Sequence, residues 1–172
     1  MPCNLSAGRQ EVCKESIGGL AGVYFLNYTT SSFTKNANGQ VTALPSGSTV
    51  YYYELKGTSA YTETVNSSRE NGTTFFQQEL ALTLKKLSIV DHKQIKLLAY
   101  GRPQVIVEDN NGNFFYCGLE HGMDVTGGTI VTGAAMGDLS GYTLTLTGME
   151  QVPANFIGDT LAGAGFTVVV GS

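Results

Sequence analysis

The chain has 172 residues, 42% of them hydrophobic and 14% charged, and its 10 Lys and Arg against 14 Asp and Glu give a formal net charge of -4. That length suits one domain burying roughly 70% of its unfolded surface, and an acidic balance without any Lys- or Arg-rich run excludes the electrostatic footprint of a tight nucleic-acid binder. Charged residues usually make up about a quarter of a chain, so the polar surface here is largely neutral Thr, Ser, Asn, Gln and Gly, and the weak mutual repulsion suits a protein that works in an assembly.

The opening segment, MPCNLSAGRQEVC, lacks the basic start and apolar core of a signal peptide, and no apolar run approaches a membrane span. The expectation is folding in a cytosol, with no membrane partner. Cys3, Cys13 and Cys117 are odd in number and have no C-x-x-C spacing, so neither a disulfide framework nor a zinc site is signalled, and buried small thiols are expected. The first element is a strand over 21–28 (AGVYFLNY), followed by a long loop or loose hairpin as far as Asn38-Gly39. Strands over 50–57 and 59–66 follow, and a Gly57-Thr58 turn predicts that they pair.

From Thr74 to Lys85 the alternation is the clearest in the chain. Phe76, Leu80, Leu82 and Leu84 take one face, with Gln78 the exception, while Gln77, Glu79, Thr83 and Lys85 share the other with Phe75 and Ala81. Ser88 with Asp91 three residues on predicts a helix start, and Gly101 and Pro103 its end. Val90, Ile95, Leu97 and Leu98 give that helix an apolar side, with His92, Lys93 and Lys96 outward. Two runs of strand formers around Asn111-Gly112 predict a hairpin. VTGGTIVTG and GYTLTLTGMEQV are further strands, the second with Tyr142, Leu144 and Leu146 opposite Thr143, Thr145 and Thr147. The tail, LAGAGFTVVVGS, offers one more. One helix among roughly eight or nine strands predicts a mainly β fold, an antiparallel β-sandwich or partial barrel with one packed α-helix.

Three arrangements bear on chemistry. Gly128 and Gly133 have the spacing of a phosphate-cradling loop, but Ala134-Ala135 stand where its Lys and Ser or Thr belong. Glu120, His121 and Asp124 bring metal-binding side chains close in sequence, yet in a strand Glu120 and His121 point to opposite faces. No G-x-S-x-G elbow occurs, and no cysteine neighbours a histidine. No catalytic, cofactor or metal site is therefore expected, and the chain reads as a non-enzyme. Arg69 and Glu70 sit in a polar run between strands, where Arg69 either pairs with an acidic group of a neighbouring subunit or lies in a solvated turn. The glycines Gly127-Gly128, Gly133, Gly137 and Gly141 have a mechanical reading. They let a long hairpin bend, with Gly127 and Gly128 as positions of φ > 0, and lie edge to edge with a neighbour. A sugar-binding β-sandwich is the reading suggested by nine tyrosines, although Tyr51, Tyr52 and Tyr53 alternate faces.

The segment SSRENGTTFFQQELALTLKKLS, the capped helix IVDHKQIKLLAYG and the glycine-bearing hairpins through MEQVPANF resemble a family of virion structural proteins from phages of Bacteroidetes hosts. The order of strand, capped helix, hairpin and long strands also resembles the plan of phage tail tube proteins. The likeness runs from Cys3 to Ile157, which implies a single domain over 1–157 and a C-terminal extension over 158–172 that supplies an added strand. It implies a subunit of a tail tube or neck ring in the virion, made in the bacterial host cytoplasm. Long hairpins of neighbours would then join as an inner β-barrel, and rings would stack into a conduit for DNA held only as non-specific cargo. Residues 74–85 and 125–147 would supply the barrel strands. Arg69, Glu70, Gly127, Gly128, Thr143, Thr145 and Thr147 are the positions so implied at contacts between subunits. The partners implied are copies of the chain and other tail or neck proteins, with a head-tail connector or capsid-associated protein as the related alternative.

Overall fold

A computed structural model describes residues 3–30, 33–43, 48–158 and 160–171. The chain runs β1 (Leu20–Leu26), β2 (Thr34–Lys35), β3 (Val41–Ala43), β4 (Thr49–Glu54), β5 (Ala60–Ser68), β6 (Thr73–Lys85), α1 (Ile89–Tyr100), β7 (Gln104–Asp109), β8 (Phe114–Cys117), β9 (Asp124–Val131), β10 (Gly141–Glu150), β11 (Asn155–Phe156) and β12 (Thr167–Val170). The architecture is mainly β with one helix. A six-stranded sheet, β11-β8-β7-β1-β4-β12, faces a four-stranded one, β5-β6-β10-β9. Every pairing in them is antiparallel except β12 on β4.

Strand alternation builds two cores on the two faces of the six-stranded sheet. Val23, Phe25, Val105, Val107 and Cys117 turn toward Leu80, Leu82, Tyr142, Leu144 and Leu146 of the second sheet. Tyr24, Leu26, Val50, Ile106 and Tyr116 turn the other way, where Val41, Ile157, Leu161, Ala164 and Phe166 cover them. The extension after residue 157 thus lends side chains to a core and adds β12 along β4.

Gln78, the polar residue on the inward face of β6, is 1% exposed. Its Oε1 accepts the Gly118 N–H at 2.8 Å and its Nε2 donates to Glu63 Oε1 at 3.5 Å, so the amide is satisfied inside the sandwich. Gln104, 0% exposed, is held likewise: Tyr116 Oη donates to its Oε1, and its Nε2 donates to the Leu119 and Thr29 carbonyls. The helix starts as expected, Ser88 Oγ accepting the Asp91 N–H at 3.0 Å, and ends with the Gly101 N–H on the Leu97 carbonyl. At the Asn111-Gly112 hairpin, burial acts to raise the pKa of Asp109, but hydrogen bonds from Asn113 and Asn111 outweigh it and hold the carboxyl below its ordinary value.

Four expectations need correction. The strands on either side of Gly57-Thr58 do not pair: β4 lies between β1 and β12, and β5 lies on β6. Leu55, 5% exposed, drops into the inter-sheet core just after β4, so the chain crosses from one sheet to the other there. The apolar side of α1 is only partly used. Ile95 is buried and Leu98 half-buried, but Val90 and Leu97 are 69% and 54% exposed, because the helix covers an end of the sandwich rather than a full sheet face. The thiols divide: Cys117 is buried while Cys3 and Cys13 are exposed on the N-terminal arm. Among the described residues the strands number twelve, since β2, β3 and β11 are too short to show as periodicity.

Burial pushes the Cys117 thiol up to about 12. In dilute, unassembled protein at pH 8, a thiol reagent should label Cys13 at once and Cys117 only after denaturant is added. Equal labelling rates at the two positions would contradict the packing of β8 against the second sheet.

Candidate functional site

Directly paired residues of neighbouring strands share a face of the sheet, so register defines the outer surface of β5-β6-β10-β9. Across it run Thr83, Thr143 and Thr129, then Ala81, Thr145 and Gly127, then Thr62, Glu79, Thr147 and Asp124, with Thr64, Gln77 and Met149 beyond. The threonines bond to each other, Thr129 Oγ1 to Thr143 Oγ1 and Thr126 Oγ1 to Thr147 Oγ1. Glu79 and Asp124 are the acidic groups of this face, and Lys85 stands at the end of β6. The structure therefore places Thr143, Thr145, Thr147 and Gly127 on one neutral to acidic surface.

Among the described residues both outer strands of this sheet have an unpaired edge. β5 is 9 residues long and β9 is 8, each bonded there to one neighbour only. Arg69 and Glu70 lie in the exposed turn joining β5 to β6, away from the threonine face, and neither takes part in an ion pair among the described residues.

The expected role of the glycine pair is corrected. Neither Gly127 nor Gly128 has a positive φ. The irregularity in β9 falls one residue earlier, where the register slips between Thr145 and Leu146 so that Gly127 and Val125 are their successive partners and Thr126 bulges. Gly128 is needed for close approach instead: a Cβ there would run into the Thr143 carbonyl oxygen and lie 3.1 Å from Leu144 Cδ2. A Cβ on Gly127 would meet nothing within 4 Å. The left-handed residue of this hairpin is Gly133, at φ 76, in a loop where Asp138 accepts the Ala134 and Ala135 N–H groups. Those two bonds hold the Asp138 carboxyl below its ordinary value.

Glu120 and His121 stand in a turn between β8 and β9 rather than in a strand, and a turn brings both toward one point. The third member of the cluster is Glu150 from the end of β10, in place of Asp124. Ligand atoms of Glu120, His121 and Glu150 lie within 4.8 Å of one another. Glu150 is 3% exposed, its Oε1 accepts the N–H groups of Glu120 at 3.2 Å and His121 at 2.9 Å, and its Oε2 lies 3.0 Å from His121 Nδ1. With its oxygens committed to backbone and imidazole, this carboxylate fastens the turn to β10. Sequence spacing missed the pair because 29 residues separate them.

A cleft of about 500 Å³ opens between α1 and the end of the six-stranded sheet, lined by Tyr28, Tyr51, Tyr53, Leu97, Leu98 and Arg102 among others. The Arg102 guanidinium lies over the Tyr28 ring at 5.3 Å, while Tyr28 Oη donates to the Glu120 carbonyl at 2.6 Å. Tyr51 and Tyr53 share the cleft side of β4 and Tyr52 lies on the other, against Tyr24. No family model, curated protein or solved structure matches this chain.

Proposed function

We propose that this chain is a structural subunit that closes into rings by pairing β5 of one copy with β9 of the next, lining a phage tail tube or neck conduit with its threonine face. The observation that carries the reading is a single sheet with two open edges of nearly equal length and a neutral to acidic outer face. Four alternating antiparallel strands put β5 and β9 in opposite directions, so copies related by rotation join edge to edge with every pair antiparallel. Closure removes edges that otherwise invite uncontrolled pairing. A face carrying Glu79 and Asp124 among threonines repels or ignores phosphates, which lets DNA pass without being gripped. The resemblance to virion proteins of Bacteroidetes phages agrees with this role and supplies the setting, a virion built in the host cytoplasm with other tail or neck proteins as partners.

Negative-stain microscopy and light scattering of the purified chain test it. Rings or tubes are the expected result. A chain that stays monomeric at millimolar concentration and in the presence of tail components would sink the reading.

A further inference from the structure

We infer that the cleft beneath α1 receives the N-terminal arm of a second copy, residues 4–16, and so joins copies head to tail. The inference rests on the reading of the chain as a self-assembling subunit and names a contact distinct from the β5 and β9 edges.

Every residue from Cys3 to Gly19 is exposed, including Leu5 at 98%, Val12 at 76% and Ile17 at 63%. The arm is tied down at its base, where Asn111 bonds both the N–H and the carbonyl of Ile17 and Asn110 Nδ2 donates to the Gly18 carbonyl. Apolar side chains on an arm that does not pack on its own body call for a partner surface.

The base and the cleft lie at opposite ends of the six-stranded sheet. Leu20 pairs with Asp109 beside the anchored base, whereas Phe25 pairs with Tyr51 and Leu26 with Gln104 beside the cleft. An arm leaving one end and a receptor at the other make a heterologous contact, which repeats from copy to copy, as a ring where the rotation closes and as a filament where it does not. Extended residues 4–16 reach about 43 Å, more than the diameter implied by a radius of gyration of about 16 Å for a domain this size.

The cleft also matches the arm in chemistry. Val12 stands in a run of both signs, with Glu11 before it and Lys14 and Glu15 after it, and Arg102, which lines the cleft, and Lys93, one turn before Leu97 on α1, are the cations that would meet its carboxylates. The Arg9–Glu11 pair within the arm is more than three-quarters exposed on both sides and is easily exchanged. Leu97, Leu98, Tyr51 and Tyr53 supply an apolar floor for Val12. Among the described residues the side-chain amides of Asn27 and Gln94 have no hydrogen bond, so they are available to the backbone of an extended segment.

Cysteine cross-linking in the full chain tests this. The variant carries Gln94→Cys and Cys3→Ser with native Cys13 retained; Gln94 and Cys13 are both exposed, and circular dichroism confirms folding. Mild oxidation should give a ladder of covalent dimers, trimers and higher species on a non-reducing gel. Adding Leu97→Glu should cut the ladder at least about tenfold, the effect of losing about 1.4 kcal/mol of docking. A product cross-linked only within one chain, or no product although rings form, overturns the inference. A ladder without any ring in the microscope supports arm docking and sinks the ring reading instead. Glycans that bind the full chain, lose binding on Leu97→Glu and leave no ladder would give the cleft to sugar and overturn it too.

Discussion

Glu150→Ala is expected to lower the unfolding midpoint by about 6 to 12 °C, from a loss of about 3 kcal/mol in a chain of this size. Hydrogen bonds to a charged acceptor contribute about 1.5 to 3 kcal/mol each, and this carboxylate accepts from the Glu120 and His121 amides and meets the His121 ring. The sum is less than additive, because both turn residues are exposed and water re-solvates part of what alanine leaves unpaired. Glu150→Gln should fall between the two, since its amide oxygen still accepts from the turn while the charge is gone. Thermal melts by circular dichroism measure all three. An alanine variant melting within about 2 °C of the parent would mean that the turn is held by its flanking strands alone.

Gly128→Val and Gly127→Val should differ sharply although the positions are adjacent. At Gly128 the new side chain points to the core side of β9 and collides with the Thr143 backbone, so β9 has to separate from β10 at a cost of about 1 to 3 kcal/mol. At Gly127 it enters open space on the threonine face opposite Thr145, in an extended conformation that valine adopts readily. That variant should keep its stability within about 0.5 kcal/mol and still form rings, while the Gly128 variant loses both stability and assembly as its β9 edge is displaced. Chemical denaturation and microscopy of the two proteins decide it. Equal destabilisation by both substitutions would contradict the register of β9 on β10.

The sequence by itself determined the features that depend on neighbours along the chain. Ser88 and Gly101 bound the helix because capping is a contact across three or four residues. Asn111-Gly112 makes its turn through bonds that the Asp109 carboxylate accepts from the N–H groups two and four residues ahead. The alternation of Leu80, Leu82 and of Tyr142, Leu144, Leu146 fixes which face is buried, since a strand turns its side chains with period two. The candidate surface was legible to the same extent: Thr143, Thr145 and Thr147 were bound to share a face of one strand.

Tertiary structure alone decided which strands meet. Nothing local distinguishes a β4–β5 hairpin from a crossover, and the burial of Leu55 between the sheets settles it. Gln78 looks like an error in an apolar stripe until Gly118, 40 residues away, is seen to donate to it. The Glu150 clamp, the parallel docking of β12 on β4, and the separation of the N-terminal arm from the cleft by the length of the sheet likewise depend on contacts distant in sequence. Such contacts form only after the entropy of closing long loops has been overcome by burial elsewhere, so no short stretch of residues carries their signature.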